Sequence, residues 1–278
     1  MALIHNRYGK GRVRVMRLHR EGDRHEVREL TVQAMAEGDF TPTYTRADNA
    51  ASVSTDTIKN VVNVVARENL ALDNELFCEA VADRLLSCYP QIEKAQVSGH
   101  QTKWTRLAFG GVPHPHSFVL DANGKPFCDV SATRSGKSFA SGVAGYTFMK
   151  STQSGWENYV RDRYTTIAET GDRICATSMD ARWEWSRKPA DFTAANATIL
   201  STMIEVFATT YSSSVQDSLY RMGEAALAAV PDILKVSLAC PNKHYLLVNL
   251  APFDLDNANQ VFLPTDEPHG QIECTVGR

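Results

Sequence analysis

The sequence predicts an α+β protein in which antiparallel sheet carries helices on one face. Two observations favour this class. Each half of the chain shows two strand-like segments, two helical segments and two further strand-like segments. Apolar residues also recur between the halves at an offset of 141 positions, close to half of the 278 residues, as in Ile58 and Ile199. This repetition indicates a duplicated unit.

In the first half, apolar residues follow strand and then helical spacing. Ile58, Val62 and Val65 form one helical stripe, and Phe77, Val81, Leu85 and Leu86 form the next. Pro90 ends the second helix because proline cannot continue it. The predicted segments are strands 11–19 and 27–34, helices 56–69 and 74–89, and strands 92–97 and 117–120.

The second half repeats this order. Ile199, Met203 and Phe207 mark its first helix, Leu219 and Met222 lie in its second, and Pro231 follows. The predicted segments are strands 143–150 and 174–185, helices 194–211 and 215–230, and strands 234–238 and 245–250. The glycine- and serine-rich stretch at 135–142 separates the halves, which predicts two domains, residues 1–136 and 137–278.

Composition narrows the class of protein. Hydrophobic residues make up 43% and charged residues 22%, values typical of a soluble globular protein. The formal net charge of −3 gives no electrostatic reason to expect nucleic acid or an anionic membrane as a partner. No secretory signal is recognisable at the N-terminus. The six cysteines form no C-x-x-C pair, which predicts reduced, mostly buried thiols in a cytoplasmic compartment.

Four separate segments carry candidate chemistry: Tyr8-Gly9-Lys10, Ser54 to Asn60, Lys150 to Arg173, and Pro241 to Tyr245. Lys10 reads either as a solvated strand-edge lysine or, if burial favours its neutral form, as a base. Ser54-Thr55-Asp56 reads as a helix N-cap, whose free N–H groups also suit an anion.

The later segments offer binding groups. Arg173 has a planar guanidinium that can hold a carbonyl and an adjacent ring nitrogen. Gln216, at a second predicted helix start, offers an amide donor and acceptor to a flat heterocycle. Asn242 and His244 share one face of a strand, with Lys243 expected to point away. Each also has an ordinary structural interpretation as a strand-edge, capping or core residue.

Taken in order, these segments resemble the urate oxidases. The resemblance implies a tunnelling fold, in which subunits pair their sheets into a barrel with helices outside, and a homotetramer with active sites at subunit interfaces. It also implies oxidation of urate by O2 and water to 5-hydroxyisourate and hydrogen peroxide, the first step of urate breakdown, without a cofactor. The expected compartment is cytoplasmic, or peroxisomal in a eukaryote, although no Ser-Lys-Leu ends the chain.

The resemblance also assigns roles to residues. Lys10, Thr55 and His244 are expected to relay protons, with Thr55 and Asp56 serving the site of a neighbouring subunit. The remaining expected substrate contacts are the backbone N–H of Asp56, the ring of Trp156, the side chain of Ile167, the guanidinium of Arg173, the backbone of Val215, the amide of Gln216, and Asn242, which places O2 or water. Trp156 stands where the family more often has phenylalanine, and Ile167 where it has leucine.

Two other functions are compatible with parts of this pattern. A zinc-dependent pterin enzyme of the same fold needs a histidine triad, and His114-Pro115-His116 lacks nearby Asp, Glu or Cys ligands in sequence. No metal-binding site is therefore expected. A purine-binding protein without catalysis needs Arg173 and Gln216 but not Lys10 or Thr55. No Gly-x-Gly-x-x-Gly or P-loop motif is found.

Overall fold

The computed structural model describes residues 2–278. The chain forms two compact units. The first extends to Gly142 and also includes Glu184–Ala194, while the second combines Val143–Trp183 with Ala195–Arg278. The division at residues 136 and 137 inferred from the repeat remains a prediction.

The first unit contains a sheet with the strand order β1-β2-β3-β6. Its paired strands are antiparallel, and helices α2 and α3 pack against it. A separate hairpin is formed by β4 and β5. The elements are β1 (Tyr8–Glu21), β2 (Arg24–Gly38), α1 (Thr41–Thr45), α2 (Thr55–Glu68), α3 (Asn74–Cys88), β3 (Ile92–Thr102), β4 (Trp104–Phe109), β5 (Val112–Leu120) and β6 (Lys125–Thr133).

The second unit contains strands in the order β7-β8-β9-β10, with β9 and β10 antiparallel. Helix α5 packs against both β9 and β10. The elements are β7 (Lys137–Lys150), β8 (Cys175–Trp185), α4 (Phe192–Thr209), α5 (Val215–Ala229), β9 (Ile233–Leu247) and β10 (Phe262–Gly277). Strand β7 begins at residues that are assigned to the first unit, and strand β8 ends at such residues.

The helical stripes read from the sequence form the cores. In the first unit, Ile58 and Val62 of α2 and Phe77 and Val81 of α3 are fully buried. Their burial against the sheet is the main driving force for packing helices of this length, which are marginal alone. In the second unit the buried residues of the predicted stripes are Ile199, Met203, Phe207, Leu219, Met222, Ala226 and Leu227.

The offset of 141 also holds for whole elements. Helices α3 and α5 begin at residues 74 and 215 and end at residues 88 and 229, and β3 and β9 begin at residues 92 and 233. At the end of each helix, the residue before the proline donates its main-chain N–H to the carbonyl four residues earlier. In α3 the bond runs from Tyr89 to Leu85, and in α5 from Val230 to Ala226. The helix start at Val215 therefore corresponds to Asn74, and not to Thr55 in α2.

The predicted α+β class is confirmed. Five elements were missed: the short helix α1, a 3-10 turn at Ala251–Phe253, and the strands β4, β6 and β10. The two strands predicted at 234–238 and 245–250 form one strand, β9, because Pro241 pairs with Gln271 inside it instead of ending it. A proline can occupy such a position where its missing N–H is not required by the ladder.

Across residues 2–278, no helix is long and apolar enough to cross a membrane.

All six cysteines are free thiols, and Cys78, Cys128, Cys175 and Cys240 are buried. Four of the six side chains are thus buried, as expected, whereas the reduced state of the thiols stays a prediction.

Candidate functional site

A cavity of about 360 Å³ opens in the second unit. Three parts of the chain form its wall: the end of β7 and the residues before β8, the second half of β9, and the segment leading into β10. The lining residues are Ser151, Asp172, Arg173, Ile174, Asn242, Lys243, His244, Tyr245, Leu246, Leu247, Asn259 and Phe262. Three predicted site residues, Arg173, Asn242 and His244, therefore meet at one cavity.

Strand β9 supplies Asn242 and His244, which are both half-buried. They pair with Gly270 and Thr265 of β10, and the extra β10 residues between these two pairs form an irregularity. Lys243 was expected to point away from the site, but it also lines the cavity, and it pairs with Asp266 at 3.2 Å. The register change in β10 is the physical reason, because such irregularities reorient neighbouring side chains.

Main-chain hydrogen bonds fold the segment between β7 and β8. Trp156 and Thr170 exchange two bonds, with N···O distances of 2.7 and 3.1 Å, and the N–H of Arg173 donates to Ser154 at 2.8 Å. The N–H of Gly155 donates to Ser212, just before α5, at 2.9 Å. These bonds hold Trp156 and Arg173 close together and fix both against the start of α5.

Gly155 is required at this junction. A Cβ atom at this position would lie 2.2 Å from the hydroxyl oxygen of Tyr211 and 2.9 Å from the carbonyl oxygen of Thr170. The Tyr211 hydroxyl itself donates to the carbonyl of Gly171 at 2.8 Å. A side chain at residue 155 would therefore separate the strand-like pair that carries Trp156 from the loop before α5.

Arg173 carries the most distinctive charge of the site. Its guanidinium carbon lies 6.0 Å from the centre of the Trp156 ring. Its Nε atom is buried and has no hydrogen-bond partner among residues 2–278. Leaving a buried charged donor unsatisfied is costly, so this group favours an anionic or carbonyl-bearing ligand that accepts from it.

Lys150, at the end of β7, contacts the C-terminal end of α4 next to the site. Its ammonium donates to the carbonyls of Phe207 and Thr210 at 3.3 and 2.8 Å, at the C-terminal end of α4. Burial lowers the pKa of Lys150 below its ordinary value. A cation here satisfies the free carbonyls of the helix end. Lys150 therefore fixes the end of β7 to α4 and is not itself a cavity residue.

Two buried thiols in the strands that lead to the cavity, Cys175 of β8 and Cys240 of β9, are poor nucleophiles. Burial raises the pKa of Cys240 to about 12, and burial likewise raises the pKa of Cys175. The raised pKa keeps both thiols neutral. Because the thiolate is the reactive form, neutral thiols react poorly. Thiol catalysis is therefore disfavoured at this cavity.

The start of α5 is well defined. The Ser214 hydroxyl accepts from the N–H of Asp217 at 3.0 Å and caps the helix. Val215 is buried, whereas Gln216 is exposed with its amide at the helix surface. Ile167, predicted on the pocket wall, is 56% exposed. Within the chain, neither Gln216 nor Ile167 lines the cavity around Arg173.

The remaining predicted residues gather in the first unit. Gly9 lies so close to β2 that a Cβ there would be 2.0 Å from the carbonyl oxygen of Ala34. The hydroxyl oxygen of Tyr8 accepts from the N–H of Val53 at 2.7 Å. Burial raises the pKa of Tyr8, although the bond from Val53 opposes this effect. The start of β1, with Lys10, is thereby tied to the residues that precede α2.

Thr55 and Asp56 form the first turn of α2 and are exposed. Lys59 donates to the Asp56 carboxylate and is the main reason that the pKa of Asp56 is lowered, with a smaller contribution from the charge of Lys10. Lys10 and Asp56 are thus neighbours in one chain. The hydrogen bond between Tyr8 and Val53 also places Lys10 near Thr55 within the first unit. The assignment of Thr55 and Asp56 to the site of a neighbouring subunit stays a prediction.

Several cavity residues were not predicted. Ser151, Lys243 and Tyr245 line the cavity and lie inside two of the candidate segments named above. Their position beside predicted site residues was the sequence feature that could have identified them. Asn259 lies shortly before β10 and Phe262 begins that strand, in a part of the sequence that shows no regular pattern. Asn259 has a φ of 57°, an uncommon left-handed conformation for a non-glycine residue.

The histidine pair on β5 has an ordinary setting. The rings of His114 and His116 lie 4.7 Å apart, edge to face, and His116 also lies 5.8 Å from His25. Among residues 2–278, no three His, Cys, Asp or Glu side chains are grouped so that they could hold a metal ion.

Comparisons with known proteins bear on this arrangement. The uricase family model matches residues 6–131 and 139–273. The uricase of Arthrobacter globiformis is 35% identical over 278 residues, covering 100% of this chain and 90% of that protein. The uricase of Aspergillus flavus is 37% identical, covering 98% of this chain and 95% of that protein. A crystal structure of the Arthrobacter globiformis uricase matches with a TM-score of 0.94, covering 100% of this chain and 95% of that chain.

Proposed function

This chain belongs to the uricase family, and we propose that as a urate oxidase it combines urate, O2 and water to give 5-hydroxyisourate and hydrogen peroxide, without a cofactor. The reaction adds one oxygen atom to the purine and reduces O2 to peroxide. Urate supplies both electrons once it is deprotonated. The protein therefore has to hold a flat anion, place O2 or water against it and move protons.

The observation that carries this proposal is the setting of Arg173. A buried Nε without a partner stands at the same cavity as Asn242 and His244. A purine anion presents adjacent carbonyl and ring-nitrogen acceptors, which match the fork of donors on a guanidinium. The cavity volume of about 360 Å³ is also within the usual range for a small-molecule site.

The proposed roles are those that the resemblance to the family assigns to these residues. Arg173 and Gln216 clamp the edge of urate, the backbone of Val215 and the N–H of Asp56 complete the hydrogen bonds, and Ile167 forms a wall. Trp156 stacks on the purine ring. Asn242 places O2 or water, and Lys10, Thr55 and His244 relay protons.

We also propose that the site is completed by assembly. The chain would form a homotetramer of tandem tunnelling-fold domains, residues 1–136 and 137–278, with sheets paired into a barrel. The group around Lys10, Thr55 and Asp56 in one subunit would then face the cavity of another subunit. Exposed large apolar residues near the cavity, such as Leu246 and Leu263, support an interface there.

A direct assay tests the reaction. Purified protein treated with a chelator is incubated with urate, and the loss of urate absorbance, O2 uptake and peroxide are followed together. We expect one O2 consumed and one peroxide formed for each urate lost, with half of the O2 returned when catalase is added. Activity that disappears on chelation and returns with a metal would contradict the cofactor-free reaction. Binding of urate without O2 uptake would identify a purine-binding protein instead.

A further inference from the structure

Trp156 is stacked against another aromatic ring. The Trp156 and Tyr159 rings are nearly parallel, at 11°, with their centres 5.5 Å apart. Both side chains are half-buried, although most residues between 157 and 169 are exposed. Parallel rings at this distance attract each other beyond their simple burial.

Tyr159 is itself anchored at its far end. Its hydroxyl donates to the carbonyl of Ile167 at 2.8 Å, across the loop that separates the two residues. The Asn158 N–H, immediately before it, donates to the Glu169 carboxylate at 3.0 Å. The Tyr159 side chain is thereby held at two places: its ring face stacks on Trp156, and its hydroxyl is hydrogen-bonded to Ile167.

The main chain of Trp156 is fixed by its two bonds to Thr170, but these bonds do not set the side-chain torsions. The indole orientation depends on the groups that contact it. Tyr159 lies parallel to the indole, while the guanidinium carbon of Arg173 is 6.0 Å from its centre. Tyr159 is therefore well placed to fix the plane of the indole.

We propose that Tyr159 is a positioning residue, which holds the Trp156 ring in the plane needed to stack on the flat substrate. This inference rests on the proposed function, since it takes urate as the ligand that stacks on Trp156. The substrate would occupy the indole face opposite Tyr159, giving a stack of three rings beside the Arg173 guanidinium. Tyr159 acts through Trp156 and does not touch the substrate.

Two substitutions test the ring and the hydroxyl separately. Tyr159→Leu removes the stacked ring. It should raise the KM for urate, and the dissociation constant for the related purine xanthine, by about 2- to 12-fold. This factor corresponds to the attraction between two paired aromatic rings. Tyr159→Phe keeps the ring and should stay within about twofold of the parent protein, because the stack survives the loss of one hydrogen bond. In both variants kcat should change less than KM, since stacking holds substrate and transition state alike. Tyr220→Leu, at an exposed tyrosine of α5, is the matched control.

A double-mutant cycle distinguishes positioning from a general weakening of the loop. In a Trp156→Leu background, Tyr159→Leu should have no further effect on xanthine affinity, because the ring that it orients is absent. Additive losses in the cycle would overturn the proposal, as would a Tyr159→Leu variant with unchanged KM or a Tyr159→Phe variant as impaired as Tyr159→Leu. If the parent protein does not oxidise urate, the proposed function fails and this inference fails with it. If the parent is active and Tyr159→Leu matches it, only this inference fails.

Discussion

The main-chain N–H of Arg173 donates to the carbonyl of Ser154 at 2.8 Å, which joins the guanidinium to the loop that carries Trp156. The next residue in that loop, Gly155, is bonded in turn to Ser212, just before α5. The guanidinium, the aromatic ring and a helix start therefore share one main-chain framework. A ligand held by Arg173 has a fixed relation to all three.

Arg173→Ala should raise the KM for urate by about 10- to 150-fold, the equivalent of a charge-assisted contact worth about 1.5–3 kcal/mol. The arginine is proposed to hold the anion in the ground and transition states alike, so kcat should fall much less. Steady-state kinetics provide the measurement. Arg161→Ala, in the same loop at an exposed arginine, should match the parent protein. An unchanged KM in Arg173→Ala would remove the clamp from the mechanism.

Lys10→Met should mainly lower kcat, by about 10²- to 10⁴-fold, because a positioned proton-transfer group contributes roughly that factor. Its KM for urate should remain close to that of the parent protein. Lys125→Met, at an exposed lysine of β6, serves as the control for removal of a positive charge. If Lys10→Met binds urate poorly and keeps its kcat, Lys10 is a binding residue and the relay has to be rebuilt around His244.

Mixed assemblies should reveal which residues share a subunit. Lys10→Met and Arg173→Ala proteins, unfolded and refolded together, should recover up to about a quarter of the parent activity, since random pairing leaves that share of interfacial sites with both residues intact. Lys10→Met mixed with Thr55→Ala should recover none, because these positions belong to the same unit of one chain. Recovery in the second mixture, or failure of the first, would contradict the proposed assembly.

The Glu79 cluster gives a prediction about stability and pH. Burial acts to raise the pKa of Glu79, but bonds from Lys137 and Lys188 outweigh it and hold the pKa below its ordinary 4.5. A depressed folded-state pKa stabilises the fold above pH 4.5, and this contribution is lost as the pH falls through the folded pKa. Glu79→Gln should therefore cost about 1–3 kcal/mol at neutral pH, a range discounted for the exposed lysines.

Denaturant unfolding across pH 3 to 7 measures this difference. The free energies of unfolding of Glu79→Gln and the parent protein should converge on the acid side, where Glu79 is protonated in both states. Asp83→Asn, which removes a more exposed partner of Lys137, should have a smaller effect. A difference between parent and Glu79→Gln that does not vary with pH would show that packing, and not charge, accounts for the loss.

The parts of the fold that the sequence predicts well are those controlled by local periodicity. Helix α5 was predicted from Val215 to Val230 and ends one residue earlier. Strand β10 was missed because Pro264, Pro268 and Gly270 interrupt its pattern, and its structure depends on pairing with the distant β9. Long-range pairing of this kind leaves little trace in a local window of sequence.

The same division applies to the site. Arg173, Asn242 and His244 could be named from their motifs, but their meeting at one cavity depends on the order of strands β8, β9 and β10. Asn259 lies in the connection between β9 and β10, where the Asn257 side chain bonds to main-chain groups of Val248 and Val261. Such a loop has no periodicity, so its contribution to the cavity could not be read from the sequence.

The framework around Gly155 has a consequence for how the pocket can evolve. Main-chain hydrogen bonds do not depend on side-chain identity, apart from proline. Exposed positions of the loop, such as Glu157, Val160 and Ala168, can therefore diverge while Trp156 and Arg173 keep their places. Gly155 cannot, since any side chain there meets Tyr211. Side chains on the surface of this loop can thus change without disturbing the proposed guanidinium clamp, as long as residue 155 remains glycine.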